Sequence, residues 1–449
     1  MAAGRVQARC LDKEAAMEPR NSKEDIGNAG RGCAMTRRGA LGLAAGLAML
    51  GVAGCSGCGK TDDAADAASD AQESPAATDS TDAGTQEEAA PEPTAEELAA
   101  QHIEELLGGL TTEQKVSQLF FLRPESLVSD TMTEAGSEAQ QALQAYPVGG
   151  MCFFGKNLED TDQTVQMLSA LKTYSKDACG IPLLCSTDEE GGTVSRIGGT
   201  PGFGIANVGD MRAIGDAGDV SAARDVAETI AGYLLPLGFN LDFAPDADIC
   251  NNPDSYTMAQ RSFGTTAATV APMVAAQVEG FVSSGIGCCA KHFPGIGGAV
   301  GDSETEPIVS EKTADEMAEE ELKPFQAAIA AGVPMIMVGH LSCPNITGTY
   351  APASISREVV TDMLRDRLGF DGVIITDSLE MGAIVQDYTI EEIVLSALDA
   401  GVDMLLMPSD FDRAYVAVLS AVEAGDISED RIDDSIRRIL KMKVGLGLV

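Results

Sequence analysis

The sequence is poor in histidine and in basic residues. It has only three histidines, His102, His292 and His340, and no CxxC motif is paired with a second one or with clustered histidines. A structural zinc site is therefore not expected, and no metal or organic cofactor is implied. Thirty Lys and Arg residues stand against 69 Asp and Glu residues. A net charge of −39 would repel nucleic acid and anionic membrane surfaces, so a neutral ligand is the better fit.

The N-terminal region lacks an apolar run long enough to span a bilayer. Residues 40–53 are apolar but too short, and they lie between Arg37-Arg38 and Cys55. This order is typical of a twin-arginine export signal that runs into a lipobox. We expect lipid modification of Cys55, which would anchor an extracytoplasmic protein to a bacterial cell membrane through the lipid only. A signal-anchor helix is the alternative.

Composition divides the chain into four segments. Residues 1–34 show no periodicity and fit a non-native extension, with Met1 and Met35 both open as the true start. Residues 35–55 form the signal. Residues 56–93 have almost no large apolar side chain, which predicts a disordered acidic linker. Much of the negative charge lies there, so it says little about the ligand. Residues 94–449 are expected to form one catalytic domain.

The chain has eleven cysteines, a number that would suggest disulfides. However, Cys152, Cys185, Cys288 and Cys289 lie inside apolar runs, where cysteine behaves as a small buried hydrophobe. We expect free, buried thiols.

Eight short runs rich in Val, Ile, Phe and Leu alternate with longer amphipathic segments from residue 94 onward. This pattern predicts an α/β fold, a (β/α)8 TIM barrel. The competing doubly wound sheet would need a glycine-rich phosphate loop after its first strand, and none is present there. The expected strands are 116–122, 148–154, 182–188, 239–244, 287–293, 335–340, 372–377 and 404–408. The clearest helical patterns are 267–282, 314–331, 357–368 and 390–400.

Ionisable residues follow five of these runs. In a barrel the carboxyl ends of the strands meet at one face, so we expect the five sets of side chains in one pocket. Capping of the next helix explains one or two such aspartates but not five sets. Carboxylates without a histidine cluster indicate glycosidic bond chemistry, in which one carboxylate attacks and another group handles the proton.

Five motifs carry a family resemblance. The segment GFDGVIITDSLEMGAI is similar to the nucleophile signature of glycoside hydrolase family 3, with Asp377 at the nucleophile position. DEEGG from Asp188, FAPDADI from Phe243, RSFG from Arg261 and KHFPGIGG from Lys291 stand in the same order as that family's motifs. The resemblance covers about residues 95–449. It implies a retaining mechanism with a covalent glycosyl-enzyme.

The acid/base position departs from the family. Within it, the chain resembles the single-domain β-N-acetylglucosaminidase branch, whose Asp-Ser-His loop supplies a histidine as acid/base, oriented by the aspartate. Here the loop reads Asp302-Ser303-Glu304, and Ile296 also replaces a histidine. A glutamate can protonate a leaving oxygen when neighbouring carboxylates favour its protonated form. We therefore expect Glu304 to be the acid/base and Asp302 its partner; Glu306, or no acid at all, are the alternatives.

The resemblance also implies a set of sugar ligands. The roles that it implies for them are hydroxyl binding and lining of the pocket. Thr193 stands where the family often has an arginine. His340 has a second interpretation, as a structural residue at the end of its strand. The sugar-hydroxyl ligands implied are Asp188, Arg261, Lys291 and His292, with Arg196 and His340 lining the pocket.

These observations predict an exo-acting β-N-acetylhexosaminidase that acts on a glycan or oligosaccharide. A β-glucosidase or β-xylosidase of the same family, and a sugar-binding lipoprotein that has lost catalysis, are the alternatives. Glu304 and Glu306 would repel phosphate, so hydrolysis is favoured over phosphorolysis. Because the sequence ends about where the barrel should end, we expect the acid to come from the barrel's own loops.

Overall fold

A computed structural model describes residues 93–449. Eight of its ten strands form one parallel sheet in the order β10-β1-β2-β3-β4-β5-β7-β9. A parallel bridge between Ile375 and Met404 joins β9 to the start of β10 and closes the sheet. The expected (β/α)8 barrel is therefore confirmed. The strands are β1 Phe120–Leu122, β2 Gly150–Cys152, β3 Leu184–Thr187, β4 Leu241–Asp242, β5 Gly287–Phe293, β6 Ile308–Val309, β7 Met335–Val338, β8 Leu341–Ser342, β9 Val373–Thr376 and β10 Leu405–Leu406.

Helices surround the barrel and connect its strands. One further segment, Glu358–Arg367, is π-helical. The strands β6 and β8 form a separate parallel pair outside the barrel. The α-helices are α1 Ala95–Gly108, α2 Thr112–Gln118, α3 Ser137–Ala145, α4 Thr161–Cys179, α5 Met211–Ala217, α6 Val220–Leu237, α7 Ala267–Ser284, α8 Ala314–Glu319, α9 Lys323–Ala330, α10 Pro344–Thr347, α11 Gly382–Val385, α12 Ile390–Ala400, α13 Phe411–Ala424 and α14 Glu429–Gly445.

All eight expected runs contain a barrel strand, but two expectations on element bounds were wrong. Residues 116–118 belong to α2, because a reciprocal capping box between Thr111 and Gln114 starts a helix just before β1. The expected helix 314–331 is two helices. It breaks before α9, where Pro324 stands in the first turn and cannot donate a backbone hydrogen bond to a preceding turn.

The strands bury apolar side chains on both faces, as a parallel sheet covered by helices requires. Phe121 and Phe243 pack inside the barrel with their ring centroids 5.1 Å apart. Four of the described helices end before a barrel strand at a glycine with positive φ, a conformation that side chains with a Cβ rarely adopt. These glycines are Gly180 at +80°, Gly238 at +99°, Gly285 at +82° and Gly401 at +109°.

The cysteines agree with their sequence context. Within residues 93–449 every cysteine is free, and Cys152, Cys185, Cys288 and Cys289 are buried. None of the helices in this part of the chain combines the length and the apolar character that a membrane crossing requires. The predictions for residues 1–34 and 35–55, for lipidation of Cys55, and for nearly all of 56–93 lie outside the described residues.

Candidate active site

A cavity of about 630 Å³ opens at the carboxyl ends of the barrel strands. Every one of the eight barrel strands contributes a lining residue near its carboxyl end. The contributors, in chain order, are Arg123, Cys152, Asp188, Phe243, Lys291, Met337, Asp377 and Leu406. Arg196, Arg261, His292, Asp302 and Glu304 also line the cavity. Thr193 is exposed, and its neighbour Val194 lines the cavity instead.

Of the five expected sets of ionisable side chains, those at the ends of β3, β5 and β9 line the cavity. The expectation was wrong for the other two sets, because Asp242, Asp246 and Asp248 at β4 and His340 after β7 do not line it.

Glu190 joins two cationic residues on one wall of the cavity. Its carboxylate accepts two hydrogen bonds from Arg261, each 2.8 Å long, and lies 2.8 Å from Lys291 Nζ. The same ammonium lies 2.7 Å from Asp188 Oδ1. Glu190 and Lys291 are almost completely buried, so two cations and two carboxylates compensate one another away from water.

The charges of this cluster follow from its geometry. Burial alone would raise the pKa of Glu190, but Arg261 and Lys291 hold it well below its usual range. Burial would likewise lower the pKa of Lys291, but Asp188 and Glu190 raise it above its ordinary value. Glu190, Arg261 and Lys291 are therefore charged at neutral pH, and the wall presents fixed donors and acceptors of the kind that bind vicinal hydroxyls. Glu190 was missed as a site residue, although an acidic pair followed by two glycines at a strand end was visible in the sequence.

His292 is held by a second buried carboxylate, Asp248, which lies in the FAPDADI motif but was not expected to pair with it. Its Nδ1 lies 2.7 Å from Asp248 Oδ2, and its backbone N–H donates to the same oxygen at 3.3 Å. Because the carboxylate accepts, Nδ1 carries a proton and Nε2 faces Arg261 at 3.4 Å. Burial opposes the charged ring, but the Asp248 hydrogen bond raises the pKa of His292 above its ordinary value.

Among the described residues, Asp246, Asp248 and His292 place ligand atoms within 4.8 Å of one another, which is the spacing of a metal site. The surrounding charge does not fit a cation. Arg261 Nε lies 3.6 Å from Asp246 Oδ2, and Asp248 is already bonded to the His292 ring. A bound metal ion would have to displace the guanidinium. We interpret the three residues as a support for the wall formed by Glu190, Lys291 and Arg261.

Asp246 gives a pH-dependent prediction. Burial and repulsion from Asp248 raise its pKa to about 7, although Arg261 opposes the shift. The folded state therefore binds this proton more tightly than the unfolded chain, in which aspartate has a pKa of about 3.9. Proton binding to Asp246 therefore adds to the free energy of unfolding of the wild-type protein at low pH. This added stability falls as pH rises from about 4 to 7, by up to about 1.4 kcal/mol per pH unit. The asparagine of Asp246→Asn does not titrate, so its stability has no such dependence on pH. Measured by urea unfolding, the free energy of unfolding of the variant should rise relative to that of wild type between pH 5 and pH 7.

The matched control is Asp362→Asn, which changes an exposed carboxylate on the π-helical segment. Its unfolding free energy should follow the wild-type slope over the same pH range. Parallel curves for Asp246→Asn and wild type would show that Asp246 does not hold a proton in the folded state.

Asp377 follows β9 directly and lines the cavity. Its backbone N–H donates to Val338 O at 2.8 Å, which fixes it to the neighbouring strand β7. Its Oδ1 accepts from the Ser378 N–H at 2.8 Å, and no Lys, Arg or His of the described chain pairs with its carboxylate. One oxygen is therefore free to react with a ligand in the cavity.

Glu304 stands on the cavity rim, in the loop between β5 and β6. Its side chain is exposed, whereas Ser303 beside it is buried. Asp302 Oδ1 accepts from the Glu304 N–H at 3.0 Å, so Asp302 orients the backbone of the loop and not the Glu304 carboxylate. The structure thus brings Asp302 and Glu304 into the same cavity as Asp377, as expected. The acid/base role of Glu304 stays a prediction.

Arg196 lines the same cavity and lies over the ring of Phe154, with 5.9 Å from Cζ to the ring centroid. No carboxylate of residues 93–449 forms an ion pair with it. Its Nε is buried without a hydrogen-bond partner in the described chain. The backbone that carries it is organised by Glu189, whose buried carboxylate accepts from the N–H groups of Arg196, Ile197 and Gly198 at 2.6, 2.9 and 2.8 Å. Glu189 therefore shapes the loop that presents Arg196.

His340 is placed behind the cavity wall. Its Nε2 lies 2.8 Å from Ser378 O and its Nδ1 2.8 Å from Ser354 Oγ. A carbonyl can only accept, so Nε2 carries the proton and Nδ1 accepts from the hydroxyl. Burial lowers the pKa of His340, which keeps the ring neutral. With both nitrogens engaged it has no donor left for a sugar. The structural interpretation is the one that fits, and the expectation that His340 lines the pocket was wrong.

An ion pair on the opposite wall was also missed. Arg123, after β1, and Glu380, after β9, form two contacts of 2.9 and 2.8 Å. Burial raises the pKa of Glu380 above its ordinary value, although Arg123 opposes the shift. The two residues are 257 positions apart, so only the closed barrel brings them together.

The chain is similar to known proteins in sequence and in fold. The family described as "Glycosyl hydrolase family 3 N terminal domain" matches residues 111–442. Over 75% of its length the chain is 30% identical to Beta-hexosaminidase A of Pseudoalteromonas piscicida, of which it covers 62%. Over 68% of its length it is 33% identical to Beta-hexosaminidase LpqI of Mycobacterium tuberculosis, of which it covers 78%.

A solved structure agrees with these sequence matches. The β-N-acetylglucosaminidase of glycoside hydrolase family 3 from Paenibacillus sp. str. FPU-7 aligns with a TM-score of 0.71 and 36% identity. The alignment covers 76% of this chain and 63% of that protein. The chain thus spans less than two thirds of the first relative and of this structural neighbour.

Proposed function

The chain belongs to glycoside hydrolase family 3, and from this premise we propose that it is a retaining, exo-acting β-N-acetylhexosaminidase. It removes terminal N-acetylglucosamine from a glycan through a covalent glycosyl-enzyme on Asp377. The preference for an N-acetylated sugar is supported by the names of the relatives and of the solved structure.

The observation that best supports the proposal is which of the carboxylates lining the cavity are held in ion pairs and which are not. Asp188, Glu190 and Glu380 are held in ion pairs with Lys291, Arg261 and Arg123. Within the described chain, the lining carboxylates outside ion pairs are Asp377, Asp302 and Glu304. A retaining glycosidase needs one carboxylate free to attack and one group free to transfer a proton, and this division supplies both.

The first half-reaction forms the intermediate. The free oxygen of Asp377 attacks the anomeric carbon, and the bond from that carbon to the leaving oxygen breaks. Glu304 gives its proton to the leaving oxygen, so the aglycone departs as an alcohol and Glu304 becomes a carboxylate. Meanwhile the wall of Asp188, Lys291 and Arg261 binds the sugar hydroxyls, and the unpaired guanidinium of Arg196 donates to the same ring.

The second half-reaction reverses the roles. The Glu304 carboxylate takes a proton from water, and the water oxygen attacks the anomeric carbon from the side that the aglycone left. The bond to Asp377 breaks, the sugar leaves with its original β configuration, and both residues return to their starting states. Negative charge on Glu304 and Glu306 would repel phosphate at this step, which favours water as the acceptor.

A sugar-binding protein without turnover is the second candidate. One observation favours it: the usual histidine is replaced by Glu304, whose side chain is exposed on the rim. Lipid anchoring through Cys55 is also part of the proposal, and it rests on the sequence of residues 35–55 alone.

The test is turnover of aryl β-glycosides by bacterial cells that express the full chain. The N-acetylglucosaminide should be hydrolysed fastest, ahead of the glucoside and the xyloside. Activity should sediment with the membrane fraction, and a Cys55→Ala chain should move it to the soluble fraction. The product in phosphate buffer should be the free sugar. Sugar 1-phosphate as product would contradict hydrolysis, and binding of sugar without turnover of any aryl glycoside would support the second candidate.

A further inference from the structure

The loop that carries Glu304 rests on the turn that follows the nucleophile. We propose that Gly382 and Gln386 are positioning residues that hold this loop over Asp377, so that one short segment sets the places of both reacting groups. The proposal rests on the function proposed above and adds the device that aligns its acid/base.

Three consecutive carbonyl groups of the loop accept hydrogen bonds from this segment. Ser303 O accepts from Ala383 N at 3.1 Å, and Glu304 O accepts from Gly382 N at 2.9 Å. Thr305 O accepts from Gln386 Nε2 at 2.7 Å. The three donors come from α11 and the residue after it. A run of three adjacent carbonyls bound in this way fixes both the position and the direction of the loop.

Gly382 permits the close approach. A Cβ at this position would lie 2.5 Å from Thr305 O and 2.6 Å from Thr305 C, which are backbone atoms that cannot move without moving the loop. The φ angle of Gly382 is not positive, so backbone conformation does not demand glycine here. Glycine is required at position 382 because of the close contact with the backbone of Thr305.

The segment that holds the loop is itself fixed to the barrel. Leu379 N donates to Leu406 O at 2.9 Å, and Ser378 O accepts from His340 Nε2 at 2.8 Å. Gly382 is five residues after Asp377. The Glu304 backbone is thereby fixed, through this segment, to the same strand ends that position the nucleophile. Proton transfer requires that the two reacting groups be placed this precisely relative to each other.

Contacts inside the loop do not supply this precision. The N–H groups of Thr305 and Glu306 donate to Asp302 O, both at 3.0 Å, so these bonds shape the loop's own turn. The Glu304 side chain has no hydrogen-bond partner in the described part of the chain. Its placement over the cavity therefore depends on the three carbonyl contacts with residues 382–386.

The experiment compares two leaving groups on the sugar that wild type turns over best. An alkyl glycoside needs protonation of the leaving oxygen, whereas a dinitrophenyl glycoside does not. Gln386→Ala should lower kcat/KM for the alkyl glycoside about 2- to 10-fold, the effect of one lost hydrogen bond. Gly382→Ala displaces the loop and should lower it about 100-fold. For both variants kcat/KM for the dinitrophenyl glycoside should stay within about twofold of wild type.

Two further readouts separate positioning from general damage. Hydrolysis of the glycosyl-enzyme needs the general base, so kcat for the dinitrophenyl glycoside should fall in both variants although kcat/KM does not. Azide needs no general base and should restore this kcat. In a Glu304→Gln background, Gln386→Ala should not lower kcat/KM for the alkyl glycoside any further, because Gln386 acts only by positioning Glu304. The controls are Gln141→Ala, at an exposed glutamine, and Gly232→Ala, where a Cβ would meet nothing within 4 Å. Both should match wild type on both substrates.

The outcomes are distinguishable. Equal losses on both leaving groups, or no loss on either, would overturn the positioning role while leaving the glycosidase intact. A wild-type chain that turns over no aryl glycoside would instead refute the proposed function.

Discussion

Replacing Asp377 by asparagine should lower kcat on aryl glycosides by roughly 10⁴- to 10⁶-fold, the range seen when a catalytic nucleophile is removed. The amide keeps the shape of the side chain and can still accept from the Ser378 N–H, which is 2.8 Å from Oδ1. However, it has no charge with which to attack the anomeric carbon. Intact-protein mass spectrometry should find a glycosyl adduct on wild type, during turnover of a slowly released substrate, and none on the variant.

The control for this loss is again Asp362→Asn, since it makes the same chemical change on the outer surface. Substrate binding separates loss of chemistry from damage to the site. The wall formed by Glu190, Lys291 and Arg261 does not contact Asp377 through any ion pair, so Asp377→Asn should bind the sugar product within about tenfold of wild type. Activity within tenfold of wild type would contradict the assignment of the nucleophile.

Glu304→Gln should produce the second largest effect, a loss of about 10²- to 10⁴-fold in kcat/KM for alkyl glycosides, because glutamine cannot donate the proton. For a dinitrophenyl glycoside kcat/KM should change little. Deglycosylation should then become limiting, so that the glycosyl-enzyme accumulates, and azide should restore turnover with formation of a glycosyl azide. The measurement is steady-state kinetics on both substrates, with and without azide.

Glu306→Gln is the comparison that decides between the two glutamates of the loop. Glu306 is exposed, and its Oε1 would lie 2.9 Å from a Cβ built on Gly301, so its carboxylate packs on the loop itself. Its replacement should leave the leaving-group dependence unchanged. If Glu306→Gln reproduces the azide rescue and Glu304→Gln does not, the acid/base assignment moves to Glu306.

The alternation of apolar runs and amphipathic segments was sufficient to predict the barrel. Strands buried on both faces need continuous apolar residues, and this requirement is local in sequence. The errors arose where local signals competed. The run 116–122 is mostly apolar, but the capping box at Thr111 and Gln114 starts a helix that takes in its first three residues, of which Ser117 and Gln118 are polar. Apolar periodicity alone does not separate a buried helix turn from a buried strand.

Individual residues of the cavity were also predictable, because each lies at the carboxyl end of a strand in a recognisable motif. Asp377, Asp188 and Lys291 fall in the cavity as expected. Their partners were not predictable. Glu190 binds Arg261 from 71 residues away, and Arg123 binds Glu380 from 257 residues away. Only the closure of the barrel sets such distances.

The sequence by itself determined the barrel, the place of Asp377 at the end of a strand, and the presence of Glu304 where the family's motif has a histidine, since these depend on local patterns and on residue identity. The tertiary structure decided which carboxylates are neutralised and which are free. It removed His340 from the cavity wall, because both its nitrogens bond to protein. It also placed Gly382 against the Thr305 carbonyl. Charge compensation and close backbone approach are properties of three-dimensional distance, and residues far apart in the chain acquire them only when the strand ends meet.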